Sequence, residues 1–170
     1  MIIKQALIAP LNAQIQSEFG ASAQYVAIAV YFDDAALPEL ANFFYLQAEE
    51  ERMHAMKFVH FMLETGVKPT IPGLPDLRND FSDAAAAVQY ALDQELKVTD
   101  QINNLVTVAT AEGDHTTNNF LQWFVTEQVE EVDTMTHLLQ TIKHANGNLL
   151  WVEDYVRRHA AAAGGDEAGV

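Results

Sequence analysis

Three consecutive glutamates and a histidine lie inside the segment LQAEEERMHAM, residues 46–56, which otherwise has the spacing of a hydrophobic helix. Glu51 and His54 are three residues apart, so a helix places both side chains on one face. A carboxylate and an imidazole on one face are ligands suited to hard or borderline divalent cations. Glu-x-x-His alone is common on helix surfaces, so a metal site is predicted only if other segments supply further ligands.

The other long helical segments each carry a carboxylate on the apolar face. Apolar residues recur at steps of three and four, which defines the inward stripe of each helix. In the second segment only Glu51 shares that stripe with His54, while Glu49 falls on the polar side and Glu50 on the flank. From the predicted helix starts, each inward carboxylate lies about 18 to 24 Å along its helix. These residues, predicted to form one carboxylate layer, are Glu18, Glu51, Glu95 and Glu131.

Four inward carboxylates at one level require neutralisation. A buried carboxylate without a partner is costly, and like charges beside it add to the cost. The stripes contain no Lys or Arg that could pair with these groups. Two divalent cations would neutralise the layer, with one carboxylate bridging both and the histidine completing a ligand set suited to iron.

The elements that must position this layer are five predicted helices without strands. The segment VKPTIPGLPDLRND, residues 67–80, contains three prolines and a glycine, so it is predicted to be a long crossover. Short connections elsewhere make their helices antiparallel neighbours, whereas the crossover lets the second and third helices run in the same direction. The predicted helices run from Lys4 to Phe32, from Pro38 to Glu64, from the cap Ser82-Asp83 to about Ala111, from Asp114 or Thr116 to about Ala145, and over residues 148–159.

Composition sets the class of protein. A chain of 170 residues, 49% hydrophobic, suits one domain, predicted here at residues 1–160 with a flexible tail at 161–170. A net charge of −15 with 9 basic residues argues against nucleic acid and anionic membranes as partners. With no cysteine, metal ligands must be oxygen and imidazole. The sequence shows neither a signal peptide nor a membrane span, so a cytoplasmic location is expected.

Four segments together carry a family resemblance across nearly the whole chain. LNAQIQSEFGASAQYVAIAVYF, QAEEERMHAM, ALDQELKVTDQINNLV and FLQWFVTEQVEEV resemble the non-haem bacterial ferritins, with the actinobacterial type most similar. The resemblance implies an all-α, ferritin-like four-helix bundle with a short fifth helix. It also implies iron storage with ferroxidase activity, Fe(II) and O2 or H2O2 as reactants, and a hollow homo-oligomeric shell of twenty-four subunits.

The resemblance also implies a ligand set for a di-iron centre. Helix four offers Gln128-x-x-Glu131 in place of a second Glu-x-x-His, the asymmetric arrangement found in ferritins proper. Glu51 is the implied bridge between the two ions. The implied ligands are Glu18, Glu51 and His54 for the first iron, and Glu51, Glu95 and Glu131 for the second, with Gln128 nearby.

Further positions match the family beyond the iron pair. Glu50, Glu127 and Glu130 match residues that hold a third iron on the route toward the shell interior. Tyr25 matches the tyrosine beside the di-iron centre and is a candidate to hydrogen-bond one of its ligands.

Haem is not expected. In the related haem-containing bacterioferritins, the haem-ligand methionine directly follows the Glu of Glu-x-x-His, and here that position is Arg52. Met53 lies one residue further, about 100° around the helix.

Other functions remain open on the residues alone. A di-iron oxygenase or peroxide reductase would use the same centre, although without cysteine the chain cannot contain a rubredoxin-like domain. A helical scaffold without metal would leave the four carboxylates without neutralisation. The DNA-protecting mini-ferritins fit this chain less well, because their iron site lies between subunits, whereas the ligands predicted here lie within one helical bundle.

Overall fold

The computed structural model describes residues 2–163, with side chains as far as His159, and in that range every regular element is an α-helix. The all-α prediction is confirmed, and the predicted bounds of the first four helices agree within about two residues. The helices are α1 (Gln5–Asp34), α2 (Pro38–Glu64), α3 (Ala84–Ala111), α4 (His115–His144) and α5 (Leu149–Ala163).

The fifth helix is longer than the sequence predicted. α5 continues to Ala163, so residues 161–163 are helical instead of belonging to the predicted flexible tail. Alanines occupy residues 160–163, and alanine has the highest intrinsic helix propensity. The remainder of the predicted tail lies outside the described residues. The helix is fastened to the bundle by Glu153, whose carboxylate accepts hydrogen bonds from the backbone N–H groups of Glu39 and Leu40, both at 2.8 Å.

The helix ends follow local sequence. Pro38 occupies the first turn of α2, where its missing N–H removes no helical hydrogen bond. Asp83 and Asp114 cap α3 and α4 by accepting the backbone N–H groups three residues ahead. Gly66 and Gly113 follow α2 and α3 with φ of +82° and +63°, a conformation that glycine adopts without steric penalty.

Two apolar cores show the direction of the helices. The first core packs the C-terminal halves of α1 and α4 against the N-terminal halves of α2 and α3, with α5. The second core packs the opposite halves of the same four helices. α2 and α3 therefore run in one direction and α1 and α4 in the other, as the long crossover predicted.

The crossover is held closely against α1. Pro75 lies over Gly20, where a β-carbon would come within 3.1 Å of the proline Cγ. Gln24 Nε2 donates to the carbonyl of Arg78 at 2.7 Å, and the Arg78 N–H donates back to Gln24 Oε1 at 2.9 Å.

None of the helices within residues 2–163 combines the length and apolar character that spanning a bilayer demands.

Asp114 joins the start of α4 to the N-terminal segment. Its carboxylate accepts the Thr117 N–H at 2.9 Å and the Lys4 N–H at 2.8 Å. Burial alone would raise the pKa of Asp114, but the hydrogen bonds from Thr117 and Lys4 outweigh it and hold the pKa below the usual 3.8.

We expect Asp114→Ala to lower the free energy of unfolding by about 1–3 kcal/mol, because it leaves two backbone N–H groups without their acceptor. Urea denaturation followed by circular dichroism measures the change. Asp83→Ala is the matched control: this exposed cap accepts one N–H, from Ala86, so its loss should cost about 1 kcal/mol or less.

The contribution of Asp114 to the free energy of unfolding should decrease as the pH falls. A carboxyl group whose pKa is lower in the folded state than in the unfolded state stabilises the folded state at pH values above its unfolded pKa. This stabilisation is lost as the pH falls through the folded pKa. The difference between wild type and Asp114→Ala should therefore shrink below about pH 3.8. A difference that is the same at pH 7 and in acid would contradict the proposed role of the ionised carboxylate.

Candidate metal centre

A polar layer separates the two apolar cores. All four members of the predicted carboxylate layer lie in it, and each is at most 4% exposed. Among the described side chains no Lys or Arg is buried, so no fixed cation faces these groups. The sequence also placed the three neighbouring glutamates of α2 correctly, since Glu49 is exposed, Glu50 half-buried and Glu51 buried. The buried members are Glu18, Glu51, Glu95 and Glu131.

Glu18, Glu51 and His54 form one group that could hold a metal ion. One ligand atom from each lies within 4.8 Å of the others. His54 Nδ1 is 3.4 Å from Glu51 Oε1. Glu18 Oε1 accepts a hydrogen bond from Gln14 Nε2 at 2.8 Å, while its buried Oε2 has no hydrogen-bond partner in the described structure. A buried carboxylate oxygen without a donor is suited to coordinate a cation.

His54 also belongs to a second group, with Glu127 and Glu131. His54 Nε2 is 3.8 Å from Glu127 Oε1, so the imidazole lies between the two groups with one ring nitrogen facing each. Glu127 is 22% exposed, in contrast to the buried Glu131. The second group therefore connects the buried layer to the solvent side of α4.

Glu95 lies beside these groups but is not a member of either. Its Oε1 accepts the Tyr25 hydroxyl, and its Oε2 accepts Gln128 Nε2 at 3.2 Å. Gln128 Nε2 is also 3.2 Å from Thr99 Oγ1. A carboxylate has about four lone-pair directions, so two hydrogen bonds leave Glu95 able to coordinate an ion.

The three residues matched to a third iron do not form one group. Glu50 accepts a hydrogen bond from Gln47 Nε2 at 2.6 Å, and its charge raises the pKa of Glu51 and of Glu131. Glu130 is exposed and lies outside both ligand groups. Of the three, Glu127 alone joins a group with His54.

Burial and mutual repulsion favour protonated carboxylates in the layer. Burial raises the pKa of Glu18 and of Glu51. The charge of Glu51 raises the pKa of Glu18 further, and the charges of Glu95 and Glu131 raise that of Glu51, against a hydrogen bond with Glu18 that lowers it. Burial, followed by the charge of Glu95, raises the pKa of Glu131 to about 9. Burial also raises the pKa of Glu95, against the hydrogen bonds that it accepts. Without a cation the layer therefore retains protons at neutral pH, and a bound cation would displace them.

The pKa of Tyr25 is raised well above 10 by burial and by the adjacent carboxylate of Glu95. The phenol therefore stays protonated at neutral pH, which keeps it a hydrogen-bond donor to Glu95.

Three side chains contribute to the site without having been given a role from the sequence. Gln14 and Gln47 are buried in the bundle, and their amides donate hydrogen bonds to oxygens of Glu18 and Glu50. An amide on an otherwise apolar stripe is the signal that could have identified them. The ring of Trp123 lies 5.4 Å from the His54 ring in an edge-to-face arrangement.

The chain is similar to known ferritins in both sequence and fold. A family model described as a ferritin-like domain matches residues 8–145. The chain is 51% identical over 156 residues to ferritin BfrB of Mycolicibacterium smegmatis, covering 92% of this chain and 86% of that protein. It is 35% identical over 138 residues to a bacterial non-heme ferritin of Staphylococcus haemolyticus, covering 81% and 83%. An open pore ferritin from the archaeon Archaeoglobus fulgidus superimposes with a TM-score of 0.88 at 31% identity, covering 91% and 96%.

The layer predicts how the stability of the metal-free protein depends on pH. A carboxyl group with a raised folded pKa keeps its proton when folded, so the folded state is favoured below the unfolded pKa and loses stability as the pH rises toward the folded value. For Glu131 this interval runs from 4.5 to about 9. We expect the free energy of unfolding to fall across it, and Glu131→Gln to reduce the slope by about one proton per chain.

Chelator-treated protein, unfolded in urea at several pH values between 5 and 9, measures these slopes. Glu130→Gln is the matched control, because this neighbouring glutamate is exposed and should leave the slope unchanged. Equal slopes for wild type and Glu131→Gln would show that Glu131 is already ionised in the metal-free fold.

Proposed function

The chain belongs to the ferritin-like domain family, and from this premise we propose that it is an iron-storage ferritin with ferroxidase activity. Its substrate is Fe(II), which it oxidises to Fe(III) for storage as a mineral in a hollow shell. Two Fe(II) ions supply two electrons, which reduce O2 to the level of peroxide or H2O2 to water. The observation that carries the proposal is the buried carboxylate layer, in which no described Lys or Arg is present and Glu18 Oε2 has no partner.

The proposed di-iron centre uses the buried layer. Glu18, Glu51 and His54 would bind the first iron, supported by the grouping of their ligand atoms within 4.8 Å. Glu95 and Glu131 would bind the second, with Gln128 beside them and Glu51 shared between the two ions. Support for this sharing comes from electrostatics, because the charges of Glu95 and Glu131 both raise the pKa of Glu51.

Tyr25 would act through Glu95. Its protonated hydroxyl donates to Glu95 Oε1 while Gln128 donates to Oε2, so each oxygen keeps a lone pair that could bind iron. The phenol thus orients a ligand of the second iron and limits the ways in which that carboxylate can rotate.

Glu50, Glu127 and Glu130 would serve iron that is entering or leaving the centre. Glu127 is partly exposed and lies 3.8 Å from His54, which supports a role in passing ions between solvent and the buried pair. Partly hydrated carboxylates tolerate ionisation without a metal, so iron held there would exchange readily.

The proposal includes the number of subunits in the shell and the absence of haem from it. We propose a closed homo-oligomer of twenty-four subunits, on the strength of the ferritin relatives and of a fifth helix fastened to the bundle through Glu153. A haem-free shell remains a prediction, based on Arg52 following Glu51. The mass of the native particle and its absorption spectrum test both statements.

We expect Glu51→Ala to abolish rapid Fe(II) oxidation, because it removes the only ligand proposed to contact both ions. Stopped-flow absorbance after mixing the metal-free protein with Fe(II) and oxygen measures the rate. The fold should be retained or become more stable at neutral pH, since the variant no longer has to keep a buried carboxyl group protonated above its ordinary pKa. Glu49→Ala, which changes an exposed neighbour, is the matched control; wild-type initial rates in Glu51→Ala would refute the assignment.

The Glu130→Ala variant tests whether Glu130 belongs to the proposed third iron site or to the di-iron centre. We expect the first rapid oxidation of two Fe(II) ions per subunit to be preserved and later turnovers to change, because Glu130 is exposed and lies outside both ligand groups. Successive additions of Fe(II) to one sample measure the two phases. Glu131→Ala is the paired comparison and should lose the first phase. If the first phase disappears in Glu130→Ala while the shell stays assembled, Glu130 belongs to the di-iron centre.

A further inference from the structure

A groove of about 600 Å³ lies between α2 and α4, next to the carboxylate layer but outside it. Aromatic rings and thioethers form much of its lining. Phe61 and Phe120 are stacked with ring centroids 3.9 Å apart and an interplanar angle of 5°. Trp123 is 40% exposed and Met53 is 54% exposed, so part of the apolar lining is accessible.

The same groove carries the side chains of three basic residues. Arg52, Lys57 and His60 line it, in a chain with 24 acidic and only 9 Lys and Arg residues. Within residues 2–163 neither Arg52 nor Lys57 lies within 4.0 Å of a carboxylate oxygen. Lys57 Nζ instead lies over the Trp123 ring, 4.0 Å from its centroid. One acidic side chain, Glu64, also lines the groove.

We propose that this groove binds a planar aromatic anion, a ring system that bears a phosphate or carboxylate group. The aromatic body would stack on Trp123 and contact Met53, where flat apolar surfaces attract each other. The anionic group would pair with Arg52 and Lys57, of which Arg52 offers a planar set of donors matched to phosphate and carboxylate oxygens. Lys57 is exposed, so its side chain can rotate from the indole face to the anion.

The dimensions of the groove favour a small molecule over a protein. Nine residues line it, whereas a specific protein interface uses roughly 20–30 residues on each side. Its volume falls within the roughly 300–1,000 Å³ typical of sites for small organic ligands. A metal cation is disfavoured, because the groove is lined by Arg52, Lys57 and His60 and by only one carboxylate, that of Glu64.

The position of Trp123 connects the groove with the metal centre. The centroid of its ring lies 5.4 Å from that of His54, so one residue that lines the groove also contacts a proposed iron ligand. The binding proposal does not depend on ferroxidase activity, because the residues that would bind the anion are outside the carboxylate layer.

Flavin mononucleotide is a suitable probe because it combines a planar ring system with a phosphate. Equilibrium dialysis against the assembled metal-free protein measures its affinity and stoichiometry. Trp151→Phe leaves Trp123 as the sole tryptophan, so fluorescence quenching in that background reports on the groove. We expect saturable binding near one flavin per chain, about tenfold tighter than riboflavin, which lacks the phosphate, and no quenching by inorganic phosphate alone.

Charge variants test the residues directly. Arg52→Gln and Lys57→Gln should each weaken binding by about threefold, and the double variant by about tenfold. Lys143→Gln, at the far end of α4, is the control and should bind like wild type. Equal affinity for flavin mononucleotide and riboflavin, or wild-type affinity in the double variant, would overturn the proposal, as would the lack of saturable binding up to about 1 mM.

Discussion

The structure depends on one electrostatic constraint, the burial of four carboxylates at a single level without a fixed cation. Such a layer is unfavourable in isolation, because desolvation and mutual repulsion both oppose ionisation. The fold accommodates it by placing an apolar core on each side, so that the polar groups face each other across the bundle rather than facing hydrocarbon. Protons neutralise the layer when it is empty, as the raised pKa of Glu131 indicates. Under the proposed function, Fe(II) ions displace those protons.

Amide and phenol donors support the layer where charged partners are absent. Gln14 donates to Glu18 and Gln128 to Glu95, so each amide fixes a carboxylate without neutralising it. Tyr25 does the same from α1 across to α3. A Lys in any of these places would form an ion pair and remove the electrostatic demand for a metal. Neutral donors therefore orient the ligands while preserving affinity for cations.

The boundary between buried and hydrated groups passes through His54. One ring nitrogen faces the buried Glu51 and the other faces the partly exposed Glu127. On the same side, Trp123 forms an edge-to-face contact with the imidazole and separates it from the groove between α2 and α4. Two chemically different surfaces thus adjoin one residue, an acidic group of side chains that could hold a cation and the basic aromatic groove for which an anionic ligand is proposed.

The sequence by itself determined the helices, their directions and the inward faces. Periodicity assigns a face, and breaker residues such as Pro38 and Gly66 set helix ends, so Glu51 could be distinguished from Glu49 and Glu50 without coordinates. Only the tertiary structure decided which oxygens approach which nitrogens, because side-chain rotamers and the packing between helices are not encoded in spacing along one helix. That is why the grouping of Glu127 with His54, and the pairing of Glu95 with Tyr25, appear only in the folded molecule. The groove beside Trp123 has the same origin, since its lining residues come from two helices far apart in sequence.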